Sequence, residues 1–77
     1  MNQKLIDVFK KTFALTRIPE GISQKNFDKW DSLTHINLIV EIENEFDIDF
    51  DPEEISEMID FEKVSSIVAD KLNHIDE

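Results

Sequence analysis

Gly21, Pro19 and Pro52 are the only glycine and prolines in this chain of 77 residues. Breakers this scarce leave long stretches free to form helix, and make each break meaningful. No segment alternates apolar and polar residues for long. Apolar side chains recur instead at three- and four-residue spacing, the period of an amphipathic helix. The expectation is an all-α single domain over residues 1–77, a small four-helix bundle with three long helices and one short one.

The first helix is expected over about residues 3–15, with Leu5, Val8, Phe9, Thr12 and Phe13 on one face. It should end near Thr16-Arg17-Ile18-Pro19, because proline disfavours helical geometry in the residue before it. Residues 16–31 then form a long loop between helices 1 and 2, carrying Ile18, Ile22, Phe27 and Trp30. Loops of about 15 residues without structure are uncommon in compact domains, so these four are expected to pin it.

Asp31 is a good N-cap for a second helix over Ser32 to Phe46. Leu33, Ile36 and Val40, with Phe46 as a further candidate, are expected to line one face, with Ile39 widening the stripe and Leu38 and Ile42 spreading around the cylinder. A helix this apolar should be central. Asp51-Pro52-Glu53-Glu54 opens the short third helix, with a capping aspartate, proline at the first position and Glu54 at capping-box spacing. Ile55, Met58 and Ile59 are its expected inner face, and Asp60 the cap of the last helix. That helix carries Phe61, Val64, Ile67, Val68, Leu72 and Ile75 in one stripe.

Charge narrows the function. The formal net charge is −10. Six bases face four acids before Ser32, whereas two bases face 14 acids from Ser32 onward. Such a field repels nucleic acid and anionic lipid and attracts basic protein surfaces. Phe9, Phe13, Phe46 and Phe61 fall on core stripes, so no basic aromatic surface for nucleic acid is expected. No run approaches the roughly 18 apolar residues of a membrane span, and the N-terminus does not read as a signal segment. A cytoplasmic monomer is the expectation.

Catalytic constellations are missing. There is no cysteine, His35 and His74 are the only histidines, and Gly21 alone cannot cradle a phosphate. Asp47, Asp49 and Asp51 open like a calcium loop, but Pro52 stands where glycine is required and Met58 where the bidentate glutamate belongs. Neither an enzyme nor a dedicated metal site is expected.

One hydroxyl stands out. Ser32 follows Asp31 at the start of the most apolar helix, and with Asp31 as cap it is free to face solvent one position inside. A helix N-terminus presents unpaired N–H groups and a positive pole, which favour a phosphate there. The run Asp31-Ser32-Leu33, the helix ending Glu43-Asn44-Glu45-Phe46 and the following Asp/Pro/Glu turn resemble the acyl carrier protein family over nearly the whole chain. Trp30-Asp31-Ser32-Leu33-Thr34-His35 is more similar to free-standing carriers of specialised bacterial pathways than to carriers of bulk fatty acid synthesis. The latter tend to have a small residue at the place of Trp30 and acids where Thr34, Asn37 and Asn44 stand.

The resemblance implies that Ser32 receives 4′-phosphopantetheine from coenzyme A through a phosphopantetheinyl transferase. The arm's thiol would then hold acyl groups as thioesters for fatty acid, polyketide or polysaccharide biosynthesis. Asp31, Leu33, His35 and Ile36 would flank the attachment point, with Val40 and Ile59 near the groove where the arm rests. Glu41, Glu43, Glu45, Glu53, Glu54 and Glu57 would dock acyl-loading and acyl-accepting enzymes through basic surfaces. His35 is either a plain helix-surface residue or, protonated, a partner of the phosphodiester on Ser32. Two other readings stay open: an aminoacyl or peptidyl carrier, and a small acidic helical adaptor in which Ser32 only caps.

Overall fold

The computed structural model describes residues 3–75, the side chains of residues 74 and 75 excepted. Four helices follow one another: α1 (Gln3–Phe13), α2 (Ser32–Phe46), α3 (Pro52–Glu57) and α4 (Phe61–Ile75). No strand occurs among the described residues, and none of their helices is long and apolar enough to cross a membrane. The side chain of Ile75, expected to close the stripe of α4, lies outside the described ones.

Helix α1 stops two residues earlier than its periodicity suggests. Ala14 turns left-handed at φ 55°, and the Leu15 N–H reaches back to the Lys10 carbonyl at 2.8 Å. That six-residue closure satisfies an orphan carbonyl and ends the helix before Pro19 acts. Asp47 repeats the device after α2, again at φ 55°, with the Ile48 N–H donating to the Glu43 carbonyl at 3.2 Å. Neither position is glycine, so sequence alone carried no stop signal there.

Leu5, Val8, Phe9 and Phe13 of α1 meet Leu38, Ile39 and Ile42 of α2, Met58, and Val64 and Val68 of α4 in one core. The connection between α1 and α2 enters that core through Ile22 and Trp30, both buried, while Ile18 and Phe27 pack against its edge. Aromatic edges interlock there: Phe9 sits 4.8 Å from Phe61 and 5.5 Å from Trp30, and Phe13 5.4 Å from Phe27, each near-perpendicular. Such edge-to-face pairs add about 0.5–1.5 kcal/mol each beyond the area they bury.

Hydrogen bonds pin the same connection. Asn26 accepts from the Ser23 N–H and donates to the Gly21 carbonyl, both at 2.9 Å. Gln24 N–H donates to the Ile59 carbonyl at 2.9 Å, and Phe61 N–H to the Ile22 carbonyl at 3.2 Å, an isolated antiparallel bridge between Ser23 and Asp60.

That bridge corrects one expectation about α3. The helix ends at Glu57, and Met58 follows in a tight turn (φ −82°, ψ 64°) across which the Ile59 N–H donates to the Glu57 carbonyl at 2.9 Å, so Met58 and Ile59 do not share a helical face. Met58 is fully buried, and Ile59, expected on the inner face, is 46% exposed.

The inner face of α2 also differs from the expected one. His35, Leu38, Ile39 and Ile42 are buried, whereas Leu33, Ile36 and Val40 are exposed. Both stripes have helical spacing. The buried one continues to Phe46, which packs against the core; the Leu33 stripe runs out into Asn44. The longer apolar stripe wins the core because it buries more area.

Candidate functional site

Asp31 adopts extended backbone (φ −92°, ψ −177°) before the first turn of α2, and its Oδ1 accepts the Thr34 N–H at 2.8 Å. Its carbonyl accepts the His35 N–H at 2.8 Å. The Thr34 N–H bond holds the Asp31 carboxyl below its ordinary value near 3.8. The carboxylate is therefore stabilised as an anion at neutral pH while neutralising part of the helix's positive pole. Capping is thus done by the residue before Ser32.

Ser32 occupies the first helical position, is exposed, and its hydroxyl makes no hydrogen bond among the described residues. Leu33 beside it is 73% exposed and Ile36 52%. With Val40 they form a ridge at i, i+3 and i+7 on the outer face of α2. Adjoining on one face, these side chains make a small exposed apolar patch that a partner surface could cover.

His35 is not on that surface. It is 8% exposed and both ring nitrogens face inward partners: Trp30 Nε1–H donates to Nδ1 at 2.9 Å, and Nε2 lies 2.9 Å from the Ile55 carbonyl. The expected surface histidine, and its expected ionic contact with a group on Ser32, are corrected accordingly. Three residues of helix carry a side chain only partway around the cylinder, and here the demand of a buried indole decides where the ring goes. Trp30 and the Ile55 carbonyl are the partners that motif reading missed. The available signal was a tryptophan N–H five residues before the only histidine near it.

The six candidate docking acids split into two groups. Glu43 Oε2 accepts the Phe50 N–H at 2.9 Å, Glu54 pairs with Lys71 at 2.9 Å, and Glu41 pairs with Lys11 at 3.5 Å. Glu45, Glu53 and Glu57 are exposed and have no ion pair among the described residues. Only these last three present a carboxylate without an internal partner.

Two clefts lie elsewhere. One of about 820 Å³ is lined by Ile6, Lys10, Ile18, Ile22 and Phe61, with no residue of α2. A smaller one of about 250 Å³ sits between α1 and α2, bordered by Lys11, Thr12, Asn37, Val40 and Glu41. Val40 thus borders the α1 side of α2, and Ser32, Leu33 and Ile36 line neither cleft. Among the described residues no group of three or more acidic or histidine side chains is placed to hold a metal ion.

Comparison with protein-family models, with curated proteins and with solved structures finds no match. The residues must speak for themselves.

Proposed function

We propose that this chain is an acyl carrier, a non-catalytic shuttle modified at Ser32 with 4′-phosphopantetheine. The observation that carries the reading is an exposed, unbonded hydroxyl at the first position of a helix that another residue caps. Three longer helices, a short one and a long connection between the first two fit a carrier-type bundle.

The residues present suit the group. Ser32 Oγ would give up its proton and form a phosphodiester as the adenosine bisphosphate part of coenzyme A leaves. The first-turn N–H groups not taken by Asp31 would stabilise the phosphate charge. Asp31, tied to Thr34 N–H, keeps its own charge directed at the backbone. Once attached, the arm supplies the thiol that a chain without cysteine lacks.

Leu33 and Ile36 would meet apolar parts of the modifying transferase and of acyl-loading or acyl-accepting enzymes. Glu45, Glu53 and Glu57 would steer basic surfaces toward them. Screened contacts of this type favour quick exchange over tight binding. Work as a cytoplasmic monomer accords with the role. An aminoacyl or peptidyl cargo would use the same serine and arm.

The experiment is incubation with coenzyme A and a broad-specificity phosphopantetheinyl transferase, read by intact mass. One added phosphopantetheinyl group, absent in Ser32→Ala, supports the carrier. Folded protein that gains no mass would leave the adaptor reading, in which the ridge of Leu33, Ile36 and Val40 binds a partner without any modification.

A further inference from the structure

We infer that His35 is a positioning residue, a single-tautomer latch that joins Trp30 to Ile55 and thereby sets the loop before Ser32 and helix α3 in fixed register. The geometry determines the ring's state. An indole N–H can only donate and a carbonyl oxygen can only accept. With Trp30 Nε1 at 2.9 Å from Nδ1 and the Ile55 oxygen at 2.9 Å from Nε2, the ring must accept at Nδ1 and donate from Nε2. Only the neutral imidazole with its proton on Nε2 does both.

Both partners depend on the ring. Trp30 is 2% exposed, held by Phe9 and Phe13 in the aromatic cluster. Its N–H would otherwise be an orphan donor in an apolar surrounding, a costly state. Helix α3 has six residues and none of them is fully buried. Its ties are the half-buried Ile55, the Glu54–Lys71 pair, the buried Met58 just beyond its end, and the His35 bond. The latch is the bond between α3 and the first turn of α2.

Two features of the proposed carrier site hang from it. Trp30 adjoins Asp31, the cap that leaves Ser32 free. Helix α3 carries Glu53 and Glu57, two of the three candidate docking acids without an internal partner among the described residues. Breaking the latch lets serine and acids lose register for part of the time. An enzyme reading both then finds a competent conformer only in that fraction, which raises the apparent KM and leaves turnover of the bound complex unchanged. This consequence for modification rests on attachment at Ser32; the tautomer and the tie to α3 do not.

The test uses the full chain. Long-range proton–nitrogen NMR of the wild type should find His35 Nδ1 unprotonated and Nε2 protonated; the opposite tautomer overturns the latch. His35→Gln keeps one acceptor and one donor, whereas His35→Leu removes both at similar size. Hydrogen exchange of the α3 amides and of Met58 should quicken about tenfold in His35→Leu, with Val64 and Val68 unchanged and His35→Gln close to wild type. Uniform quickening everywhere would reduce His35 to a general packing residue and overturn the proposal. If His35→Leu does not fold, Trp30→Phe removes the indole donor and keeps an aromatic side chain; α3 exchange should quicken there, and α3 exchange unchanged in Trp30→Phe also overturns it. With the transferase, His35→Leu should raise KM at unchanged kcat, by about twofold where the competent conformer falls to half, and His35→Gln should restore it. A wild type that takes no phosphopantetheine defeats the carrier reading alone, since the NMR and exchange results still decide the latch.

Discussion

Lys71 Nζ lies 2.9 Å from Oε1 of Glu54, tying α4 to α3. Glu54 also accepts the Asp51 N–H at 2.8 Å, one limb of a capping box. The Asp51 N–H first, and Lys71 second, hold the Glu54 carboxyl below its ordinary value near 4.5. The same pair raises the Lys71 ammonium above 10.5, chiefly through the hydrogen bond it donates to Glu54. Lowered in the folded state, Glu54 contributes stability that is present above about pH 4.5 and lost as pH falls through its folded value. Asp31, also lowered, adds to the same acid limb. Lys71, raised, contributes below about pH 10.5 and loses it as pH climbs through its folded value. Through these groups, Tm measured against pH at low salt should fall as pH drops below about 4.5 and as it climbs above about 10.5. Glu54→Gln should shrink the acid limb and Lys71→Met the alkaline one. Unaltered limbs in both variants would rule the pair out as their source.

Leu38 and Leu33 offer a matched comparison on one helix. Leu38 is fully buried and Leu33 is largely exposed. Leu38→Ala should cost about 2–5 kcal/mol, and Leu33→Ala under about 0.5 kcal/mol. Urea unfolding gives both values. Equal costs would mean that α2 presents its other face to the core.

Ala14 holds a left-handed backbone at φ 55°. A Cβ is unfavourable there, and glycine is the preferred residue at this position past a helix end. Ala14→Gly should stabilise the fold by about 0.5–1 kcal/mol despite the added freedom of the unfolded chain. A loss of stability on thermal unfolding would contradict the conformation.

The acids should separate by role. Neutralising Glu45, Glu53 and Glu57 together, each to Gln, should raise the KM of a modifying transferase several-fold at low salt, with a smaller effect as salt rises. Glu43→Ala should leave KM alone and cost about 1 kcal/mol through the Phe50 N–H it satisfies. The reverse pattern would place docking on the wrong residues.

Much of the helix plan was legible because caps are local. Asp31 and Asp51-Pro52 announce the starts of α2 and α3 by chemistry confined to one turn, and α2 runs from Ser32 to Phe46 as its pattern suggests. Facing was harder. Periodicity cannot choose between two apolar stripes on α2, and the choice depends on what other helices bring to meet them. The early end of α1 was hidden because alanine carries no signal for a left-handed turn. At the candidate site, Asp31 and Ser32 could be placed from neighbouring residues alone. The inward turn of His35 could not, since it answers a tryptophan in the preceding loop and a carbonyl twenty residues onward.

The rungs from Gln24 to Ile59 and from Phe61 to Ile22 close the chain into a ring that contains α2 and α3. Bringing such distant stretches together sacrifices more chain freedom than forming any single helical turn. The clasp is therefore expected to close after the helices have begun to form. On gentle warming it should be among the first ties released, uncovering the stretch that leads to Trp30 while the helices still hold.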